Sequence, residues 1–304
     1  MRRILIYVVF GALALLPPAL SDPFIYHVGI LVGIESLLAL SLHLTLRIGQ
    51  LSLAQAGLMG LGAYTSALLT RDLGVPFPLA FVAAIAVPAA AAAAIGTAIL
   101  RVKGVQFALL TFVLGQAIVL VFVECVVPFG GNNGLMNIPS ATLGGWTLGG
   151  RAAYYGLVVA VVLAAMTVCR RLVGGEPGQV LSGLRQSETL IQSFGINVLS
   201  WRRLVFVTGG GIAGAAGSLY AHYLKYISPD AFNITATINV LIMNVIGGVG
   251  VLFGPILGAL ILVSLPEMFR SLVLYQQLLY GLSLLALIMF MPRGIGALLQ
   301  RDKP

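Results

Sequence analysis

The sequence predicts an all-α, polytopic helical membrane protein, and three observations carry that prediction. Asp, Glu, Lys and Arg make up only 9% of the 304 residues, where soluble domains carry about 25%. The remaining charges divide the chain into uncharged blocks at 4–21, 48–70, 73–100, 104–123, 152–169, 204–224, 231–266 and 271–292. A helix rises about 1.5 Å per residue, so roughly 20 apolar residues cross a hydrocarbon core of about 30 Å, and most of these blocks are long enough. The mean hydropathy of +1.04 agrees. A β-barrel would alternate over segments of about 10 residues rather than run continuously apolar.

The charges between the blocks order the spans by the positive-inside rule. With a cytoplasmic N-terminus, the first span covers 4–20 and turns outside at Ser21-Asp22-Pro23. Arg2 and Arg3 before this span, with Ala19-Leu20-Ser21 after it, also resemble a cleavable signal peptide, and a retained helix is the favoured reading. The second span, 25–46, returns to Arg47. The third, 48–70, ends outside at Arg71 and Asp72, and the fourth, 76–100, ends inside at Arg101 and Lys103. The fifth, 105–127, leads into an outer loop, 128–151, and the sixth, 152–169, ends inside at Arg170 and Arg171. A cytoplasmic stretch, 174–203, precedes the seventh span, 204–224. On this path only Arg71, Arg151, Lys225 and Arg270 fall outside among the 17 Lys and Arg.

The last third constrains the count. Residues 271–291 form a span followed by Arg293, Arg301 and Lys303, so it starts outside and both termini are cytoplasmic. Block 231–266 must then begin and end outside, yet it is too long for one span. Gly247, Gly248, Gly250, Gly254 and Pro255 interrupt it. Two half-helices joined by a glycine turn meet both demands, and backbone broken at membrane depth survives only inside protein or beside a wet cavity. The expectation is about eight full spans plus this hairpin, up to ten crossings, in one transmembrane domain over 1–304. A faint echo relates the small-residue runs Gly57–Ala67 and Gly209–Ala221, carrying Tyr64 and Tyr220, either as a repeat or as the composition of closely packed helices.

The net charge of +8 is scattered between spans instead of gathered into a patch, so no nucleic-acid partner is implied. Cys125 and Cys169 end segments on opposite faces, which excludes a disulfide between them and assigns both to packing. No cluster has metal-ligand spacing, and no cofactor is called for in this chain.

Uncharged polar residues within apolar segments are the candidates for a translocation path: Gln50, Ser52, Gln55, Asn239 and Asn244. Such groups can hydrogen-bond a zwitterion in transit, or else each other across helices at about 0.6 kcal/mol per bond. In 174–203, Leu181, Leu184, Ile191 and Phe194 recur at helix-face spacing, with Arg185 and Glu188 on other faces and Gly195 as a helix stop. This is either a docking ridge or a solvated connector. The outer loop Gly130-Gly131-Asn132-Asn133-Gly134 is polar and flexible. Glu35 and His43 share a helix face mid-span, as an interhelical contact or a proton-coupling pair. Glu124, His27 and His222 lie near span ends, within reach of water.

GQLSLAQAGLMGLGAY (49–64), GLRQSETLIQSFGIN (183–197), SPDAFNITATINVLIMNVIGGVGVLFGPILGA (228–259) and MPRGIGALL (291–299) resemble the permease subunits of branched-chain amino acid ABC importers, the shorter of the two paired permeases above all. The resemblance implies a bacterial inner-membrane permease working beside a second related permease, two ATP-binding subunits that hydrolyse ATP, and an external substrate-binding protein. It implies that 181–195 is a coupling helix pressed into the ATPase, with Leu184, Arg185, Glu188 and Phe194 in the contact and Gly195 as terminator. Bulky Leu190 and Ile191 replace residues that are often small in the family. The segment 49–64, with Tyr64, and the hairpin 239–259, with Gly247 and Gly248, are implied to line the path, and Ala54-Gln55 stands where a Gly-His pair is common. Asn132 and Asn133 lie on the side where the binding protein would dock. The cargo stays open between branched-chain amino acids, urea, short amides and aromatic acids. No GxxxxGK[ST] loop occurs, so this chain hydrolyses no ATP itself. An ion-coupled carrier using Glu35 or Glu124 is the alternative, and an intramembrane enzyme lacks a convergent catalytic set.

Overall fold

The computed structural model describes residues 22–143, 146–268 and 275–290. The first span, both termini and the 291–299 motif lie outside them. The helices are α1 (Pro23–Arg47), α2 (Gln55–Arg71), α3 (Phe77–Ile99), α4 (Gly104–Glu124), α5 (Arg151–Val173), α6 (Gly175–Gln186), α7 (Glu188–Ser193), α8 (Val198–Leu224), α9 (Ile234–Gly247), α10 (Gly254–Met268) and α11 (Gln276–Phe290). A two-residue hairpin, β1 (Thr142–Leu143) and β2 (Trp146–Thr147), pairs antiparallel in the loop before α5.

Six stretches among the described residues are long and apolar enough to cross a bilayer: α1, α3, α4, α5, α8 and Pro229–Gly247, in which a 3₁₀ turn leads into α9. The all-α membrane architecture is as the sequence predicts. Successive helices alternate in direction, so Arg47, Lys103, Arg170 and Arg202 lie at one end, the basic end, and Arg71, Arg151 and Lys225 at the other. Tertiary contacts agree. Arg202 donates to the carbonyl of Leu100 at 3.0 Å, and Arg151 to that of Pro23 at 3.3 Å.

α8 is the axis of the bundle, packed against α1, α2 and α3. Its small residues permit this: a side chain at Gly214 would strike the carbonyl of Ala84 on α3, and one at Gly217 that of Met59 on α2. The two echoing runs therefore pack on one another, with Gly62 directly against the Gly214 backbone. Polar contacts pin the same crossing, since the Ser66 hydroxyl lies 2.7 Å from that of Ser218 and 2.9 Å from Nε2 of His222. Dispersion and short hydrogen bonds hold membrane helices together, because lipid removes the hydrophobic difference between inside and outside. By contrast α3 and α4 expose Leu79, Val82, Val113 and Leu120, as helices facing acyl chains do.

The expected hairpin is present. α9 ends at Gly248, whose φ of +89° only glycine adopts without strain, and α10 starts at Gly254. With the 3₁₀ turn before it, the first half is long enough to cross. The bond from Arg47 to the Gly250 carbonyl puts the turn at the basic end, so this half reaches the other side. α10, at 15 residues, is about 23 Å long.

Three expectations are corrected. The third span is not helical from residue 48, because Leu51 to Ala54 run without helix and α2 begins only at Gln55. The coupling segment is two helices, not one, broken at Ser187, which takes extended dihedrals and caps α7 through a 3.4 Å bond from the Leu190 amide to its hydroxyl. Cys125 is exposed and not a packing residue, whereas Cys169 is buried, and both are free thiols.

Candidate translocation path and coupling surface

The non-helical segment after α1 enters the bundle because α1 and α4 supply what its backbone lacks. The Gln50 amide bonds the Thr45 carbonyl at 3.0 Å, and the Leu53 amide donates to the Thr111 hydroxyl at 3.0 Å. Gln50, Ser52 and Gln55 are all carried into the interior and are 0–3% exposed. Gln55 accepts from the Ser41 hydroxyl at 3.1 Å. Its amide nitrogen, both polar atoms of the Gln50 side chain and the Ser52 hydroxyl have no protein partner. A buried polar atom left unsatisfied costs about 1–3 kcal/mol.

The broken helix supplies the facing wall. Asn244 is fully buried and donates to the carbonyls of Ala39 and Val240, each at 3.0 Å, while its oxygen faces the His43 ring. Tyr280 on α11 reaches the Asn239 oxygen at 3.5 Å. Gly247 and Gly248 form the turn, where a side chain on Gly247 would collide with the Gly254 carbonyl. A polar seam thus runs down α1 at four-residue spacing. Glu35, half-buried, comes first, and its carboxyl acts on the phenols of Tyr220 and Tyr280. The Ala39 carbonyl, His43 and Arg47 follow, and Arg47 donates from Nε to His43 at 3.2 Å and from Nη2 to the Gly250 carbonyl at 2.9 Å. Sequence reading paired Glu35 with His43 but missed Arg47, whose signal was its position one further turn along the same face.

Tyr64 belongs to a different environment. It stacks on Phe122 with centroids 4.1 Å apart and meets Phe129 and Phe232 edge-on, with its buried hydroxyl unpartnered. This aromatic cage lies toward the end opposite Arg47, apart from the Gln50 cluster.

At the basic end the five coupling positions divide. Leu184 is buried against the body. Arg185 is exposed, and its stem lies over Gly49. The Glu188 carboxylate is turned inward, paired with Lys103 and with Arg202, so it anchors α7 to α4 and α8 instead of facing outward. Phe194, expected on the same helix face as Leu184, is instead 72% exposed, and with Leu190, 56% exposed, it forms an apolar crest. Gly195 stops the segment with φ of +76°.

At the opposite end Asn132 and Asn133 are exposed on a 3₁₀ turn. Their loop is tethered rather than free. Leu135 and Ile227 exchange backbone bonds of 2.8 and 3.0 Å, and His222 Nδ1 lies 2.8 Å from the Pro139 carbonyl. His222 is therefore a buried crosslink and not a solvent-facing group. His27 meets the Tyr223 hydroxyl at 2.6 Å.

Apolar crossing helices around a buried polar seam, with one helix broken inside, define the class: a polytopic membrane permease. The sequence comparisons carry this to a family. Residues 25–292 match the family described as branched-chain amino acid transport system / permease component, and the chain belongs to it. It is 29% identical over 313 residues to the high-affinity branched-chain amino acid transport system permease protein LivM of Escherichia coli K12, covering 93% of this chain and 73% of that one. The LivM protein of Salmonella typhimurium LT2 is 28% identical over 312 residues with the same coverage. No solved structure matches. Family membership sets aside the ion-coupled carrier.

Proposed function

We propose that this chain forms one half of the translocation path of an ABC importer for branched-chain amino acids, in a bacterial inner membrane with its basic end in the cytoplasm. A second related permease supplies the other half, two ATP-binding subunits bind and hydrolyse ATP, and an external binding protein delivers cargo. The chain itself carries no cofactor. Family membership and the two LivM relatives support the cargo class.

The observation that carries the coupling role is the crest of Leu190 and Phe194, exposed on a helix that Glu188 fixes to the body. Large apolar side chains facing water at the basic end fit the apolar cleft of a partner, with Arg185 beside them for a charged contact. ATP-driven movement of that cleft reaches the bundle through Glu188 to α8 and α4. Within the path, the unpartnered atoms of Gln50, Ser52 and Gln55 offer cargo hydrogen bonds that no contact among the described residues occupies, with Asn244 beside them. Asn239 and the Gly247-Gly248 turn form the wall across from them. Tyr64 and its aromatic cage close the outer side, and Asn132 and Asn133 face the binding protein.

The test is purification from the native host with identification of every attached chain, together with leucine uptake by cells carrying Phe194→Ser. A companion permease and a P-loop ATPase in the wild-type complex, both lost with uptake in the variant, support the reading. Recovery of the chain alone after cross-linking in the membrane overturns it.

A further inference from the structure

A cavity of about 370 Å³ opens at the basic end between α1, the end of α5 and α6. Arg47, Arg185, Ser182 and Gln186 line it over a floor that includes Leu181 and Val173, and no carboxylate is among its lining residues. The two guanidinium groups are close enough to feel one another's charge. Neither forms an ion pair among the described residues, where Glu188 is taken by Lys103 and Arg202. Arg47 uses Nε on His43 and one terminal nitrogen on the Gly250 carbonyl, which leaves N–H groups for a ligand.

We propose that this cavity binds a phosphate-type anion, held between the forks of Arg47 and Arg185 with the Gln186 amide donating beside them. Like charges converge on a pocket at a cost that an anion there reverses, and planar guanidinium groups bind phosphate oxygens in pairs. The site lies where helix ends meet a membrane surface, so a phospholipid headgroup can supply the phosphate as well as the free ion can. The proposal does not depend on the cargo, and it shares Arg185 with the proposed ATPase contact. Its consequence is mechanical. Arg47 also grips the turn between α9 and α10, so a bound anion ties the coupling segment to the broken helix through one residue.

Native mass spectrometry of the full chain, with whatever subunits remain attached, tests this in nanodiscs of phosphatidylglycerol or phosphatidylcholine. Wild type is expected to retain phosphatidylglycerol selectively. Arg47→Gln and Arg185→Gln are expected to lower retention at least about tenfold, the scale of a lost charge-assisted pair. Gln186→Ala, at an exposed position, weakens it less, and Arg203→Gln, an exposed charge at the same end outside the cavity, leaves it unchanged. Displacement of the lipid by millimolar inorganic phosphate identifies a site open to the free ion, and retention in its presence identifies a lipid site. Equal retention by wild type and the cavity variants, or no retention of either anion, overturns the proposal and leaves an acidic side chain of a partner subunit as the counter-charge.

Discussion

Glu188→Gln separates an anchoring carboxylate from a surface one. The Glu188 side chain is 16% exposed and sits between Arg202, 6% exposed, and Lys103, 63% exposed. The Lys103 arm is largely screened by water and contributes about 0–1 kcal/mol. The Arg202 arm decides the outcome. With Gln at 188 the buried guanidinium loses its counter-charge and keeps, among the described residues, the Leu100 carbonyl and a neutral amide oxygen as acceptors. Breaking a buried pair by removing one partner costs about 3–5 kcal/mol. Partial exposure of the carboxylate lowers this to about 2–4 kcal/mol. The loss is expected as a drop in the thermal unfolding midpoint of the purified protein in detergent, with Lys103→Gln shifting it far less. Since an apolar replacement of the whole pair is often neutral, Glu188→Leu combined with Arg202→Met should recover most of the loss. Uptake should stay low in that double variant if α7 transmits motion through the pair. Equal midpoints for Glu188→Gln and Lys103→Gln would refute the anchoring argument, and normal ATPase association and uptake in Glu188→Lys would remove the pair from the mechanism.

Gly62→Leu forces a side chain into the Gly214 backbone, so the chain should fail to accumulate as a monodisperse species in size-exclusion chromatography, while Gly149→Leu, in open space, should behave as wild type. Gln50→Leu removes two unpartnered buried polar atoms and is expected to raise stability by about 1 kcal/mol while lowering leucine uptake. A fall in both would assign Gln50 to structure. Gly195→Pro is expected to disturb the left-handed stop of the coupling segment and reduce co-purification of ATPase, read from band intensities after affinity capture. Glu35→Gln should leave uptake by ATP-loaded proteoliposomes of the whole complex insensitive to a protonophore, as in wild type, because the proposed transport is driven by ATP and not by a proton gradient. A protonophore-sensitive wild type would reopen that role.

The broken helix was legible because two independent constraints met on one block. Charge required both its ends on the same side, and glycine and proline density left only one place to turn. The span boundaries of α1, α3 and α5 followed from apolar length alone. What escaped was the state of 50–54. Its composition, Gln-Leu-Ser-Leu-Ala, suits a helix as well as a coil, and only the Thr111 hydroxyl and the Thr45 carbonyl, distant or out of register in sequence, determine that it is not helical. Periodicity likewise put Leu184 and Phe194 on one face of a single helix, whereas the structure buries the first and exposes the second, because nothing in the pattern distinguishes Ser187 as a mid-helix serine from Ser187 as the cap of a new one.

The partial legibility of the site has the same root. The sequence could choose polar residues in apolar blocks but not say which were satisfied. In hydrocarbon that is the distinction with functional content, since a paired amide holds two helices together and an unpaired one awaits something that comes and goes. Gln50 is of the second kind and Asn244 of the first: its nitrogen binds the α1 carbonyl of Ala39 and its oxygen faces the His43 ring on the same helix. Asn244 therefore couples the broken helix to α1, while the Gln50 side chain is left for what enters the seam. Asn244→Asp keeps the shape but turns the donor to α1 into an acceptor, so it should weaken the α1–α9 contact and uptake together, whereas Gln50→Leu should reduce uptake while raising the unfolding midpoint. If uptake and unfolding midpoint moved in parallel in both variants, the seam would be a packing feature and the path would lie elsewhere in the bundle.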